Sequence, residues 1–214
     1  MNDLFECLAR GAKNTLAVGA AATSIGIIVG VVTLTGVGFR LGYVVIQTAG
    51  DIGGLFLNFL PFNYFTLQDL TLFFSLILIA ISCIFMGTGV PTTATYIILV
   101  AVAAPALAQL QIEPIVSHFF VFYYGVLADI TPPVALAAYA AAGIAGSNPF
   151  TTGNTAFRLG IAKALVPFVF VYSPSLLLVA QGFNFYDFFV TLISAMIGIG
   201  SVSYTHLTLP TSRS

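Results

Sequence analysis

The sequence predicts an all-α polytopic membrane protein, with about four to five membrane helices and one re-entrant helical hairpin. Three observations predict it. First, 59% of the 214 residues are hydrophobic and 6% charged, with a mean hydropathy of +1.06, whereas an average soluble domain is roughly 25% charged. Six basic and seven acidic side chains cannot cover a water-facing surface. Second, these charges divide the chain into long uncharged blocks: 26 residues between Lys13 and Arg40, 43 between Asp69 and Glu113, 28 from Ile130 to Phe157, 23 from Ala164 to Tyr186, and 25 from Phe188 to Ser212. A crossing needs about 20 apolar residues. Third, the 20 glycines suit membrane helices, where glycine is commoner than in soluble ones. A soluble globular enzyme and a disordered chain are excluded. A nucleic-acid binder is excluded as well, because a net charge of −1 offers phosphates no basic footprint.

Residues 1–13 carry Asp3, Glu6, Arg10 and Lys13 and read as the tail of a preceding loop, so Met1 is not expected to be the true start. They are no signal peptide, because the apolar stretch that follows is too long for one. Cys7, in this polar segment, and Cys83, inside an apolar run, make neither a disulfide framework nor a metal site. The first membrane span is expected at 15–37. Its Gly19, Ala20, Ala21, Ala22, Ser24, Gly26 and Gly30 suit close helix packing, and Gly36, Gly38 and Arg40 end it. Residues 39–50 are apolar at about half their positions and read either as a short amphipathic helix in the interface or as an ordinary loop.

The 43-residue block is the most informative. As one helix at 1.5 Å per residue it would be about 65 Å long, roughly twice the hydrocarbon thickness. It must fold back, and Gly87-Thr88-Gly89-Val90-Pro91 near its middle ends a helix. The block is therefore a hairpin over 70–110, with Thr88, Thr92, Thr93 and Thr95 at an uncharged tip. The next apolar segment, 115–145, starts after Glu113-Pro114 and is broken by Thr131-Pro132-Pro133, two residues beyond Asp129. Consecutive prolines remove two donors and clash with the preceding turn. The carbonyls of Asp129–Thr131 are expected to lack helical donors. Such carbonyls are tolerated at membrane depth only where they line a cavity or find other partners. Residues 146–156 read as a polar turn, 157–180 as a span holding Arg158, Lys163, Pro167 and Pro174, and 183–200 as long enough for a last crossing. Residues 201–214, half of them Ser or Thr, break character and read as a non-native tail. Arg10, Lys13, Arg158 and Lys163 fall on one side of the membrane and Arg40 on the other, which puts the N-terminus in the cytoplasm and opens the hairpin outward.

No catalytic set is present. His118 has no partner at metal-ligand spacing and reads as interfacial, Asp129 has no second intramembrane Asp, and HExxH, GxSxG and P-loop motifs are missing. The chain is expected not to be an enzyme, and to need no cofactor or resident metal. Ion and solute handling fits better. Secondary transporters hold substrate and coupling ions at interrupted helices near the midplane. The candidate ion-binding residues are Gly87, Thr88, Gly89, Pro91, Thr92 and Thr93 at the hairpin tip, with Asp129, Ile130, Thr131, Pro132 and Pro133 at the broken helix. An ionisable group inside a membrane is costly and functional by default, so Asp129 reads as an ion ligand or its supporting partner, or as a cap for the broken helix.

GTGVPTTATYIILVAVAAPAL at 87–107, FFVFYYGVLADITPPVALAAYAAAGIAG at 119–146 and AFRLGIAKALVPFVFVYSPSLLL at 156–178 closely resemble the large membrane subunit of TRAP (tripartite ATP-independent periplasmic) transporters. They look most like the fused permeases that work with a TAXI-type receptor, and the likeness covers about residues 8–180. Gly87, Gly89, Pro91, Thr92 and Thr93 match the hairpin-tip motif, and Thr131, Pro132 and Pro133 the broken-helix motif; Asp129 stands where family members often have Ser. The resemblance implies the second half of an inverted-repeat, elevator-type secondary transporter in a bacterial or archaeal inner membrane. On it, 15–37 is a span, 39–50 an arm helix, 70–110 a re-entrant hairpin and 115–145 the broken helix facing it. It further implies sodium as the coupling ion, a periplasmic receptor delivering an organic anion or amino acid, and a remaining permease half and small-subunit helices as partners in the bilayer. Two other readings stand beside it: an elevator-type anion symporter that needs no receptor, and a non-transporting membrane scaffold.

Overall fold

The computed structural model describes residues 2–59, 64–90, 92–178 and 183–208. Among them every regular element is helical, in agreement with the all-α polytopic expectation. Among the described residues four helical stretches are long and apolar enough to cross a membrane, and a bent pair raises the number to five.

Helix α1 (Asn2–Thr35) is followed without a loop by α2 (Val37–Phe59), and the chain bends by 67° between them. The bend falls on Gly36, whose φ of +64° is a left-handed conformation open to glycine at little cost. Helix α2 is longer than the 39–50 of the sequence reading, and its far half packs on α3 through the buried Gly53. Gly38, Gly42, Ala49 and Gly53 are buried along one side of it. A Cβ on Gly38 would lie 2.7 Å from the Ala101 carbonyl oxygen, one on Gly42 2.8 Å from Ala106 Cα, and one on Gly53 3.2 Å from Leu70 Cβ. The first two are a Gly-xxx-Gly pair, the spacing that lets two membrane helices approach backbone to backbone.

The hairpin legs are α3 (Leu67–Gly87) and α4 (Thr92–Gln109). Asp69, one of the charges bounding the long apolar block, is consumed in a capping box: its backbone N–H donates to Thr66 Oγ1 at 3.1 Å, and its carboxylate accepts from the Thr66 N–H at 3.0 Å. Pro105 interrupts the ladder of α4, and the Gln109 amide donates to its carbonyl at 3.3 Å and to the Phe39 carbonyl of α2 at 3.4 Å.

Helix α5 (Pro114–Ala128) begins with proline at its first position, as Glu113-Pro114 predicts. It inserts between the hairpin legs and the later helices. Leu76, Ile79 and Cys83 of α3, Leu99, Ala103 and Leu107 of α4, and Phe120, Val121, Tyr124 and Leu127 of α5 form the main core. After the Thr-Pro-Pro break the chain resumes as α6 (Leu136–Ala145), which ends on Gly146 at φ +66°. The polar stretch expected as a turn over 146–156 is mostly helix: α7 (Pro149–Gly160) starts on an Asn148 cap whose side chain accepts from the Thr151 N–H at 3.1 Å. An Asn N-cap followed by proline at the first helical position is a start signal that outweighs polar composition. A tight 3₁₀ turn, Ile161–Leu165, leads into α8 (Val166–Tyr172). Tyr124 Oη donates to the Ala164 carbonyl at 2.6 Å and ties that turn to α5. Helix α9 (Phe185–Thr208) runs on through 201–208 of the segment read as a tail, and 209–214 lie outside the described residues.

Candidate functional site

The two helix breaks picked out in the sequence meet. At the hairpin tip α3 ends in the buried Gly87; Thr88 follows as its C-cap, and Gly89 takes φ +81° to turn the chain. Pro91 lies outside the described residues. Thr92, half-buried, and Thr93, exposed, open α4. At the facing break Asp129 caps α5; it is half-buried, like Ile130, Thr131 and Pro132, while Pro133 is exposed.

Three contacts join the two loops. Thr92 Oγ1 donates to Asp129 Oδ2 at 2.6 Å. A Cβ on Gly87 would come within 2.7 Å of Ala128 Cβ and 3.1 Å of Thr95 Cγ2, so only glycine allows this approach. Gly89 faces Val134, at 3.9 Å from a Cβ position to Val134 Cγ1. Among the described residues the Arg10–Glu6 ion pair lies far along the chain on α1, and it is the Thr92 hydroxyl that meets the Asp129 carboxylate. Neither Arg158 nor Lys163, both exposed, reaches it.

The expectation of orphaned carbonyls is corrected at two positions. The Asp129 carbonyl accepts from the Ala137 N–H and the Thr131 carbonyl from the Ala135 N–H, both at 3.1 Å. Ala135, at φ +33°, turns the chain so that the first N–H groups of α6 fold back over the break. The Pro133 carbonyl accepts from Tyr139 Oη at 2.6 Å. The loop is thus a closed knot of backbone held from both sides.

The hydroxyls share one role, that of donor. Thr88 Oγ1 donates to the Phe85 carbonyl at 2.7 Å, Thr95 Oγ1 to the Val90 carbonyl at 3.1 Å, and Thr131 Oγ1 to the Leu127 carbonyl at 2.7 Å. With Thr92 bound to Asp129, four hydroxyls around the two breaks have their single proton committed to a protein acceptor. What each still offers is oxygen lone pairs. Such a site, with a carboxylate added, is chemically suited to a hard cation, which takes oxygen ligands.

Sequence reasoning missed one polar pair. Tyr96 Oη lies 2.7 Å from His118 Nδ1, linking α4 to α5 a turn beyond Thr92. Each is a polar side chain in an apolar helix, and the need of such a group for a partner is the signal the sequence offers. Among the described residues no group of three or more His, Cys, Asp and Glu is placed to hold a metal ion.

Fold and site together define a polytopic α-helical membrane protein whose interrupted helices converge on a half-buried carboxylate. The family model of the tripartite ATP-independent periplasmic transporter, DctM component, matches residues 1–185, and the chain belongs to that family. It is a TRAP permease component, from a family of transporters that operate with a periplasmic solute receptor and a small membrane subunit. No curated protein and no solved structure matches the chain.

Proposed function

We propose that the chain acts as the second repeat of a sodium-coupled permease of the inner membrane. In this reading it imports a small organic anion or amino acid handed over by a periplasmic receptor of the TAXI type. The observation that carries the reading is the Thr92–Asp129 hydrogen bond of 2.6 Å, which joins the hairpin tip to the broken helix. A carboxylate without a basic partner in a membrane is costly. A bound Na⁺ offsets that cost and adds ligands from hydroxyl oxygens whose protons are already committed. Inverted-repeat carriers form such sites where the repeats meet, so the partner half and small-subunit helices complete the working unit. Solute choice then rests with the receptor and with the other half of the site.

The test is a sodium titration of solute uptake by the complete transporter in proteoliposomes. Asp129→Asn keeps the size of the side chain and removes the charge, and raises the sodium concentration for half-maximal uptake. Receptor affinity for solute stays the same, because the receptor binds it elsewhere. An Asp129→Asn protein that is poorly made yet keeps the wild-type sodium dependence would mean that the residue only caps α5. Uptake that is independent of any added receptor supports the receptor-free symporter instead.

A further inference from the structure

The loop that follows Asp129 is held from outside the Thr92–Asp129 pair, by one side chain of α6 and two glycines of α7. Tyr139 lies in the first turn of α6, half-buried, with its N–H on the Ala135 carbonyl at 2.9 Å. Its hydroxyl reaches back along the chain and donates to the Pro133 carbonyl at 2.6 Å. An uninterrupted helix gives each carbonyl the N–H four residues on, which for Pro133 is that of Ala137. Here the Ala137 N–H donates to the Asp129 carbonyl instead, at 3.1 Å. At membrane depth each carbonyl of a broken helix needs a donor or a cavity to face. The Tyr139 hydroxyl therefore takes the place that the Ala137 N–H vacates, and the two bonds are one arrangement.

Helix α7 keeps the ring where that bond requires it. Gly153 and Gly160 are both buried and, two turns apart, share one face of the helix. A Cβ on Gly153 would lie 2.8 Å from Tyr139 Cε1 and 3.5 Å from Ala135 Cβ, and one on Gly160 would overlap Ile130 Cδ1. The Phe150 ring, at the start of α7, stands 6.0 Å from that of Tyr139 between centroids. The backbone of α7 thus walls off one side of the Tyr139 ring and touches the break again at Ile130, next to Asp129.

We infer that Tyr139, braced by α7, is a positioning residue of the cation site: by holding the Pro133 carbonyl it leaves the Ala137 N–H to the Asp129 carbonyl, and so sets the Asp129 carboxylate toward Thr92. The inference rests on the sodium reading given above. Tyr139 is no ligand in it, and acts through the backbone of Asp129. Without the hydroxyl, the Pro133 and Asp129 carbonyls compete for one N–H. The backbone of Asp129 then loosens, and its carboxylate loses its fixed approach to the Thr92 hydroxyl.

The experiment is a sodium titration of solute uptake by the complete transporter in proteoliposomes, with Asp129→Asn run beside the new variants. Tyr139→Phe keeps the ring against Gly153 and removes the donor. It raises the sodium concentration for half-maximal uptake about two- to tenfold, the net worth of one hydrogen bond, and changes the maximal rate less. A merely structural role lowers the melting temperature and leaves the sodium requirement where it was. Gly153→Ala pushes the ring aside and raises the sodium requirement in the same way. Because both act through one bond, the double variant is no worse than the worse single one, whereas the fold-changes of independent sites multiply. Gly143→Ala on α6, with nothing within 4 Å of the new methyl, titrates like wild type. A Tyr139→Phe titration that overlays wild type while Asp129→Asn shifts overturns the positioning role and leaves the sodium site standing. Multiplying fold-changes in the double variant overturn the bracing by α7. If neither Tyr139→Phe nor Asp129→Asn moves the sodium requirement, the sodium reading falls and this inference with it.

Discussion

The Thr92 hydroxyl donates to the Asp129 carboxylate at 2.6 Å, across 37 positions of sequence. It joins the first residue of the second hairpin leg to the cap of the helix that the hairpin packs against. The bond is directional. It fixes the carboxylate and turns the lone pairs of Thr92 away from the proton, which is the arrangement a cation ligand requires.

Thr92→Ala removes one such ligand and the donor that positions the other. In the complete transporter it raises the sodium requirement for half-maximal uptake about tenfold or more, the worth of a hydrogen bond to a charged group. Thr92→Ser restores it, because the hydroxyl rather than the methyl carries the contact. A Thr92→Ala titration that overlays wild type removes the hairpin tip from the coupling site.

Gly87→Ala places a methyl 2.7 Å from Ala128 Cβ, and neither group has a flexible end to move aside. The two loops separate, at a cost of about 1–3 kcal/mol for an overpacked contact. Gly54→Ala on α2 is the control, since nothing lies within 4 Å of the new methyl; it gains about 0.5–1 kcal/mol from better helix propensity. Thermal unfolding in detergent separates the two by sign.

Tyr124→Phe deletes the donor to the Ala164 carbonyl while keeping the ring, which is 2% exposed. A part-buried carbonyl in a 3₁₀ turn loses its tie to α5, at a cost of about 0.5–1.5 kcal/mol. Hydrogen exchange of 161–165 is expected to accelerate while that of α4 stays slow. Equal exchange in both proteins shows that the turn holds without this bond.

Single cysteines placed in a background lacking Cys7, which is exposed, report the hairpin; Cys83 is buried and silent. Cysteines at Thr88 and Thr92 react with small membrane-impermeant thiol reagents from the periplasm and are protected by sodium. Labelling from the cytoplasm in every condition means that 70–110 crosses twice as ordinary spans.

Local chemistry carries much of this protein in its sequence. The shortage of charge dictates a membrane fold, and Gly87, Gly89, Pro132 and Pro133 stop helices by their own backbone limits, whatever surrounds them. The Asn148-Pro149 start of α7 was equally local, although the polar composition of 146–156 hid it. What the chain could not disclose alone is which of these features meet. The worth of Gly38 and Gly42 lies in the α4 backbone they touch, and that of Gly53, past the segment that looks amphipathic, in Leu70 of α3. The carbonyls expected to be bare at Asp129 and Thr131 gain donors from Ala137 and Ala135 only once the loop folds back on itself. Asp129 could be read from sequence as a ligand or as a cap. Its Thr92 partner, 37 residues away, is fixed by the packing of three helices around one core, and no local propensity encodes a contact of that range.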